Sequence, residues 1–254
     1  DGVTNTIEEP VRELKRTNSS QPCCGARWDD MPTSVVPTAK NARAELRIKR
    51  KREQCEGFIR ILESTFDVNA PLKVVDFCCG SGNLTLPLAW KFKNWSFVGI
   101  DFKDTCVQLL NERAKTANIT NLAGVLGTAA DAPICFPAAA VTSTCTSTST
   151  STTTTTTTTS STNEFDIALA LHACGSATDD VLVRAVKNSA AFVVSPCCAG
   201  KMGKSISDAT SLGISQEDFV TIASYADHAA VGRTESKRAK KVIEFDRIRW
   251  SRQH

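Results

Sequence analysis

Three short clusters in this sequence carry residue types able to do chemistry. They are Asp76-Phe77-Cys78-Cys79-Gly80-Ser81-Gly82-Asn83, His172-Ala173-Cys174-Gly175 and Ser195-Pro196-Cys197-Cys198. In the first, Gly80 and Gly82 can take positive φ and lack a Cβ, so a ligand can approach the backbone and the free N–H groups of a following helix. Such a loop holds a small polar ligand. A dinucleotide reader needs a third glycine three residues after the second, and Thr85 stands there instead. In the second cluster, His172 is able to take a proton near neutral pH; its other reading is a hydrogen-bonded support of the loop. In the third, Cys198 or Cys197 is either a nucleophile, if a thiolate meets an electrophilic ring, or a buried structural thiol. His172, Cys174, Cys197 and Cys198 are zinc-ligand types, but no C-x-x-C pair is present and adjacent cysteines rarely share one tetrahedral ion. The spacing therefore predicts no metal site.

The elements that position these clusters follow from periodicity. Leu72 to Phe77 predicts a strand after Pro71, the glycines a tight turn, and Asn83 to Lys93 a helix that Pro87 either starts or ends. Ser96 to Asp101 is a second strand ending in an acid about 20 residues past the loop, the distance at which a nucleotide ribose is held. Asp101, with Phe102 beside it, is therefore a binding candidate, and an acid there also suits the start of a helix over Lys103 to Thr116. Leu122 to Gly127 is a third strand, followed by Ala129-Ala130-Asp131, where an adenine would lie. Asp131 either accepts from an exocyclic amine or closes an Asx-turn. The apolar run Phe165 to Leu171 predicts a central parallel strand, with Ala170 and Leu171 leading into His172 at its carboxyl end, where open α/β sheets bind ligands. A helix over Ala177 to Lys187, a strand over Ala190 to Ser195 and a helix over Gln216 to Ala229, containing Tyr225 and His228, complete the alternation. Lys237 to Trp250 reads as a helix, although Val242 to Asp246 also passes as a strand.

Composition sets the frame. The chain of 254 residues is 41% hydrophobic, enough for a proper core in one large or two small domains. No apolar run is long enough to span a bilayer, and the first ten residues lack the basic start and apolar core of a signal peptide. With eleven cysteines, three adjacent doublets among them and no secretory signal, reduced thiols in the cytoplasm, or alternatively the nucleus, are expected. The first residue is Asp, which reads as a fragment. Residues 1–37 read as a polar arm and 38–254 as the domain. Residues 138–163, with eight consecutive threonines, read as a disordered insert that cannot repay its ordering entropy. The net charge of +3 proves no polyanionic partner, so only its distribution informs. A helix over Thr38 to Phe66 crowds Arg43, Arg47, Lys49, Arg50, Lys51 and Arg52 around residues 43–52, and a second basic cluster spans 237–249. Each is either a solvated face or a phosphate contact without sequence specificity. The oligomeric state is not legible.

The spacing Asp76-x-Cys78-x-Gly80-x-Gly82 resembles the acidic-x-Gly-x-Gly-x-Gly loop of S-adenosylmethionine-dependent methyltransferases, with Cys78 in place of the first glycine. The segments Val75 to Leu84, Ala168 to Asp179 and Ala191 to Lys201, the stretch around Trp28 and the late Phe245-Asp246-Arg247 resemble the methyltransferase domain of the glutathione S-transferase C-terminal domain-containing proteins. That family is more distantly similar to tRNA 2′-O-methyltransferases of the acceptor stem, which carry a His-x-Cys-Gly-x-Ala-Thr-Asp segment and a later Cys-Cys pair. The resemblance implies a Rossmann-like α/β fold, a mostly parallel twisted sheet with helices on both faces, whose closing antiparallel strand pair is not found after Trp250. It implies S-adenosyl-L-methionine as cofactor, held by Asp76, Phe77, Cys78, Cys79, Gly80, Gly82, Asn83, Asp101, Phe102, Asp131, Ala170 and Leu171. It implies His172, Asp179 and Cys198 as the reacting or orienting side chains, and an RNA ribose hydroxyl as acceptor. The absence of an Asp/Asn-Pro-Pro-Tyr segment after the fourth strand argues against an exocyclic amine. A protein or small-molecule acceptor, and an interaction module that transfers nothing, are the competing readings.

Overall fold

A computed structural model describes residues 26–39, 43–137, 163–199, 202–227 and 234–254. In chain order the elements are α1 (Ala44–Thr65), β1 (Lys73–Phe77), α2 (Thr85–Lys91), β2 (Ser96–Asp101), α3 (Asp104–Thr116), β3 (Leu122–Leu126), β4 (Ile167–Leu171), α4 (Ser176–Lys187), β5 (Ala191–Ser195), α5 (Gln216–Asp227) and α6 (Thr234–Gln253). The strands form one sheet in the order β3-β2-β1-β4-β5, every neighbouring pair parallel. The expected α/β sheet is therefore present, with no antiparallel pair among the described residues. No helix among them is long and apolar enough to cross a membrane.

Alternation along the strands builds two core layers. Val74, Phe97, Ile167 and Leu169 face one side, where Phe58, Ile59 and Leu62 of α1, Leu86 and Leu88 of α2 and Leu110 of α3 cover them. Val75, Phe77, Val98, Ile100, Ala168 and Ala170 face the other, against Val181 and Ala185 of α4. A strand buried on both faces reads as an unbroken apolar run, which is why β4 could be recognised. A smaller cluster joins α5 and α6 through Phe219, Ala223, Ala239 and Ile243.

Chain order reverses at β1. β2 and β3 lie to one side of it, β4 and β5 to the other, and ligands of open α/β sheets bind outside the carboxyl ends at such a switch. The first and second clusters sit there, after Phe77 and Leu171.

Several boundaries differ from the sequence reading. Pro87 lies in the first turn of α2, where its missing N–H costs nothing, so the helix is shorter than Asn83 to Lys93. Val242 to Asp246 is helical, inside α6, because Ile243, Asp246 and Arg247 bury one side at helical spacing. The arm boundary at residue 37 falls inside packed structure: Val35 is fully buried and Met31 nearly so, and Trp28 Nε1 donates to Glu56 at 2.7 Å. Arg113 of α3 holds this segment, donating to the carbonyls of Ser34 (2.8 Å) and Val36 (3.0 Å) and to Ser81 in the glycine loop (2.5 Å). Residues 1–25 of the expected arm, residues 138–162 of the expected insert, and Lys201 and His228 lie outside the described residues.

Candidate functional site

Past β1 the chain turns through three left-handed residues, Cys78 (φ +58°), Gly80 (+56°) and Gly82 (+79°). Cys78 thus holds the backbone conformation that a glycine at the loop's first position reaches without steric cost. The departure from the acidic-x-Gly pattern changes a side chain and leaves the turn intact. The two glycines do different work. A Cβ on Gly80 would meet open space, whereas one on Gly82 would lie 2.3 Å from Leu110 Cδ1 on α3, and Leu110 is fully buried. Gly82→Ala is therefore expected to cost about 2–3 kcal/mol in chemical denaturation, from overpacking plus a strained φ. Gly80→Ala meets no clash and is expected to cost about 1–2 kcal/mol, from its positive φ alone.

The loop borders a cavity of about 220 Å³ lined by Asp76, Cys78, Cys79, Gly80, Asn83 and Leu84, by Leu171 and His172 after β4, and by Lys51, Gln54 and Cys55 of α1. Asp76 lies at its base, buried, accepting from Thr85 Oγ1 at 2.5 Å. Burial pushes its carboxyl up to about 7, Asp101 adding to the shift and the Thr85 bond opposing it. Phe77 and Ala170, expected at the ligand, are core residues beneath it, and Phe77 packs edge-on against Phe165.

Asp101 stands behind the loop and positions it. Its Oδ2 accepts from Gly80 N at 2.8 Å and its Oδ1 from Lys103 N at 2.9 Å, so it braces the loop and the residue that precedes α3, while the N-cap itself is Lys103. Phe102 is 65% exposed, with the Lys103 ammonium over its ring at 5.4 Å. Asp131 is exposed and closes a local turn, its Oδ1 accepting from the backbone and hydroxyl of Thr128, bonds that lower its pKa. Asp101, Phe102 and Asp131 are not among the residues lining the cavity.

His172 (φ +71°) sits at the turn out of β4. It lines the cavity and also an adjoining groove of about 440 Å³ whose other walls include Thr38, Arg47, Arg50, Lys51 and Ser81. Desolvation and the nearby Lys51 ammonium lower its pKa, so the imidazole is neutral at neutral pH. Lys51 is itself held by donating to Thr38 O at 2.5 Å. Lys49 and Arg52 point elsewhere, to a pocket beside Trp28.

Asp179, a candidate to orient His172 or to bind the acceptor, is paired with another element. Arg247 of α6 donates from Nε to Asp179 Oδ1 at 2.7 Å and from a second nitrogen to Gly175 O at 2.8 Å, so the pair locks the corner after β4. Burial raises the Asp179 carboxyl against the pull of Arg247. Spent this way, Arg247 is not a surface charge of the second basic cluster; Arg249 and Lys240 likewise donate to the carbonyls of Ser211 and Cys197.

Cys198 stands with two other thiols. Sγ of Cys174 and Cys197 are 3.4 Å apart and those of Cys197 and Cys198 are 3.7 Å apart. Cys174 is exposed; of the doublet read as nucleophile or buried structural thiol, Cys197 is exposed and Cys198 half-buried. Desolvation of the sulfur and its two sulfur neighbours push the Cys174 thiol up to about 12, and desolvation also raises Cys197. A raised thiol is a poor nucleophile, which argues against thiolate attack from Cys197.

Arg113 and Gln54 escaped sequence reading. A signal for Arg113 existed: it continues the buried side Val107, Leu110 at helical spacing, where a charged residue needs partners.

Among known proteins, the chain is 24% identical over 238 residues to the glutathione S-transferase C-terminal domain-containing protein of Bos taurus, covering 89% of this chain and 33% of that protein. It is 27% identical over 217 residues to the Drosophila melanogaster homolog, covering 80% and 32%. The chain thus spans about a third of the length of the curated relatives it matches. Two solved structures align at low overall similarity. Coclaurine N-methyltransferase bound to N-methylheliamine and SAH has a TM-score of 0.36 at 15% identity, over 77% of this chain and 43% of that one. Geranyl diphosphate methyltransferase in complex with GPP and sinefungin has 0.40 at 13%, over 58% and 45%. The family match covers residues 50–205, from inside α1 to just past the cysteine doublet, and so takes in every residue that lines the cavity; its description is a methyltransferase domain, and the chain belongs to that family.

Proposed function

We propose that this domain transfers a methyl group from S-adenosylmethionine to a ribose hydroxyl of an RNA. The observation that carries this reading is the shared wall: His172 faces both the glycine-loop cavity and the groove bearing Arg47, Arg50 and Lys51. A donor on one side and a phosphate-bearing acceptor on the other would meet at that imidazole. The residues present fit the donor, since Gly80 leaves open space at the cavity wall and Asp76 offers a carboxyl at its base. When bound, the donor supplies a methyl carbon already activated by a sulfonium, so the domain's task is alignment. Arg47, Arg50 and Lys51 hold the phosphates near the acceptor nucleotide, and Asp101 keeps the Gly80 backbone in place. With the donor bound, His172 would accept the acceptor's hydroxyl proton while that oxygen takes the methyl group and the sulfonium leaves as a neutral thioether.

Counterion release makes the acceptor half testable. The affinity for an RNA duplex with a single-stranded end falls with salt, and Arg47→Gln with Arg50→Gln reduces the slope of log K against log salt by about 2. Lys49→Gln, on the other side of α1, leaves the slope unchanged. Tritiated donor labels RNA and not DNA of the same sequence. A salt slope equal in wild type and variant, or label entering DNA or protein, overturns the RNA reading.

A further inference from the structure

We propose that Cys174, Cys197 and Cys198 bind one Zn²⁺ ion through their three sulfurs, with a fourth position open to solvent. The inference stands apart from methyl transfer. The three Sγ atoms lie within 4.8 Å of one another, two of the separations being 3.4 and 3.7 Å. Sulfurs sharing a tetrahedral zinc at about 2.3 Å stand about 3.8 Å apart, so the trio is close to ligand geometry before any ion arrives. A disulfide needs about 2.05 Å, and pairing any two would leave the third thiol over.

The fold explains how a doublet comes to point one way. β4 and β5 are parallel neighbours with Leu171 paired to Ser195, so both cysteine-bearing turns leave the same edge side by side. Successive side chains on a strand point to opposite faces, but Cys197 and Cys198 follow Pro196 and lie beyond the end of β5. Both turns are fixed from outside. His172 N donates to Ser195 O at 3.2 Å, Thr178 Oγ1 to Ala173 O at 2.8 Å and Arg247 to Gly175 O at 2.8 Å. Such outer bonds hold ligands in register for a metal.

The charge closes as well. Three thiols lose three protons on binding, and three thiolates with Zn²⁺ carry a net −1. Lys240 Nζ, 3.0 Å from Cys197 O, puts a positive charge beside them. Exposure of Cys174 and Cys197 supplies a path for the ion and leaves the last position to water.

Elemental analysis of the protein, purified under reducing conditions without chelator, is expected to find about one zinc per chain. Titration of the metal-free protein with Co²⁺ alone gives a thiolate-to-cobalt charge-transfer band and visible bands of tetrahedral strength. Cys174→Ser, Cys197→Ser and Cys198→Ser each lower Co²⁺ affinity by more than about tenfold, with circular dichroism of the metal-free variants checking the fold. Cys23→Ser with Cys24→Ser leaves the spectrum intact. A readout without variants is protection: Zn²⁺ shields the Cys174 and Cys197-Cys198 peptides from alkylation. A folded, reduced protein that gives no cobalt spectrum overturns the proposal. So does a spectrum that persists in the three single variants, one lost with Cys23 and Cys24, or alkylation at the trio that Zn²⁺ does not slow.

Discussion

His172→Ala is expected to lower methyl-transfer turnover by about 10²–10⁴-fold while leaving donor affinity unchanged. The imidazole is at once the border of the cavity and of the basic groove. A hydroxyl oxygen becomes a competent nucleophile only as its proton leaves, and a neutral imidazole accepts it. Because desolvation and Lys51 hold His172 below its ordinary value, it stays in the accepting form further into the acid range than a free histidine. The wild-type rate should thus rise with pH through an apparent pKa below 6.5 and then level off. In the variant that limb disappears. Single-turnover transfer of labelled methyl, measured across pH beside calorimetric binding of the donor, separates the two effects. Full activity in the variant, or equal loss of donor binding, removes His172 from proton transfer.

The second large effect belongs to Asp76, and it shows in stability. Its folded pKa is about 7 against 3.8 for the free side chain, so folding takes up a proton anywhere between those values. Stability from this group is complete below the lower value and is lost as pH rises through the upper one. The loss amounts to about 4 kcal/mol at most, at 1.36 kcal/mol per pKa unit. Asp76→Asn keeps an acceptor for Thr85 and has no charge to bury, so its denaturation midpoint should lose this fall between pH 5 and pH 8. Above pH 7 it should be the more stable protein. His172, whose pKa shifts downward, contributes the opposite slope in both proteins, so the difference between them isolates Asp76. Parallel curves for the two would refute the shift. A cationic ligand in the cavity favours the ionised carboxylate, so the group that weakens the ligand-free domain above pH 7 would strengthen the occupied one.

What could be read from the sequence was whatever depends on near neighbours along the chain. β-branched and apolar runs placed β1, β2, β4 and β5 within a residue or two, and spacing alone put Asp76, Gly80 and His172 at strand ends that the sheet brings together. Contacts across long separations were not legible. Arg247 reaches Asp179 over 68 positions and Arg113 reaches Ser34 over 79. A charge on the buried side of α3 signals that Arg113 needs partners without saying which, and nothing local marks Arg247, so from sequence Asp179 reads as an acid that orients His172 or binds the acceptor and the Ser34 segment as part of a polar arm. Gly82 was assigned to the ligand because sequence shows that a Cβ is missing and not what fills its place. The convergence of the two cysteine-bearing strand ends was legible, but not the 3.4 and 3.7 Å between their sulfurs, since spacing rules assume that adjacent side chains diverge.

The parallel sheet also sets how far along the chain its pairings must reach. β1, β2 and β3 pair through crossovers of ordinary length, whereas Val74 of β1 meets Ile167 of β4 only after about ninety residues of chain have been gathered. Non-local pairing must meet its closure entropy before any contact rewards it. The cavity takes walls from both sides of that pairing, the glycine loop after β1 and His172 after β4, so its shape depends on the contact most distant in the sequence.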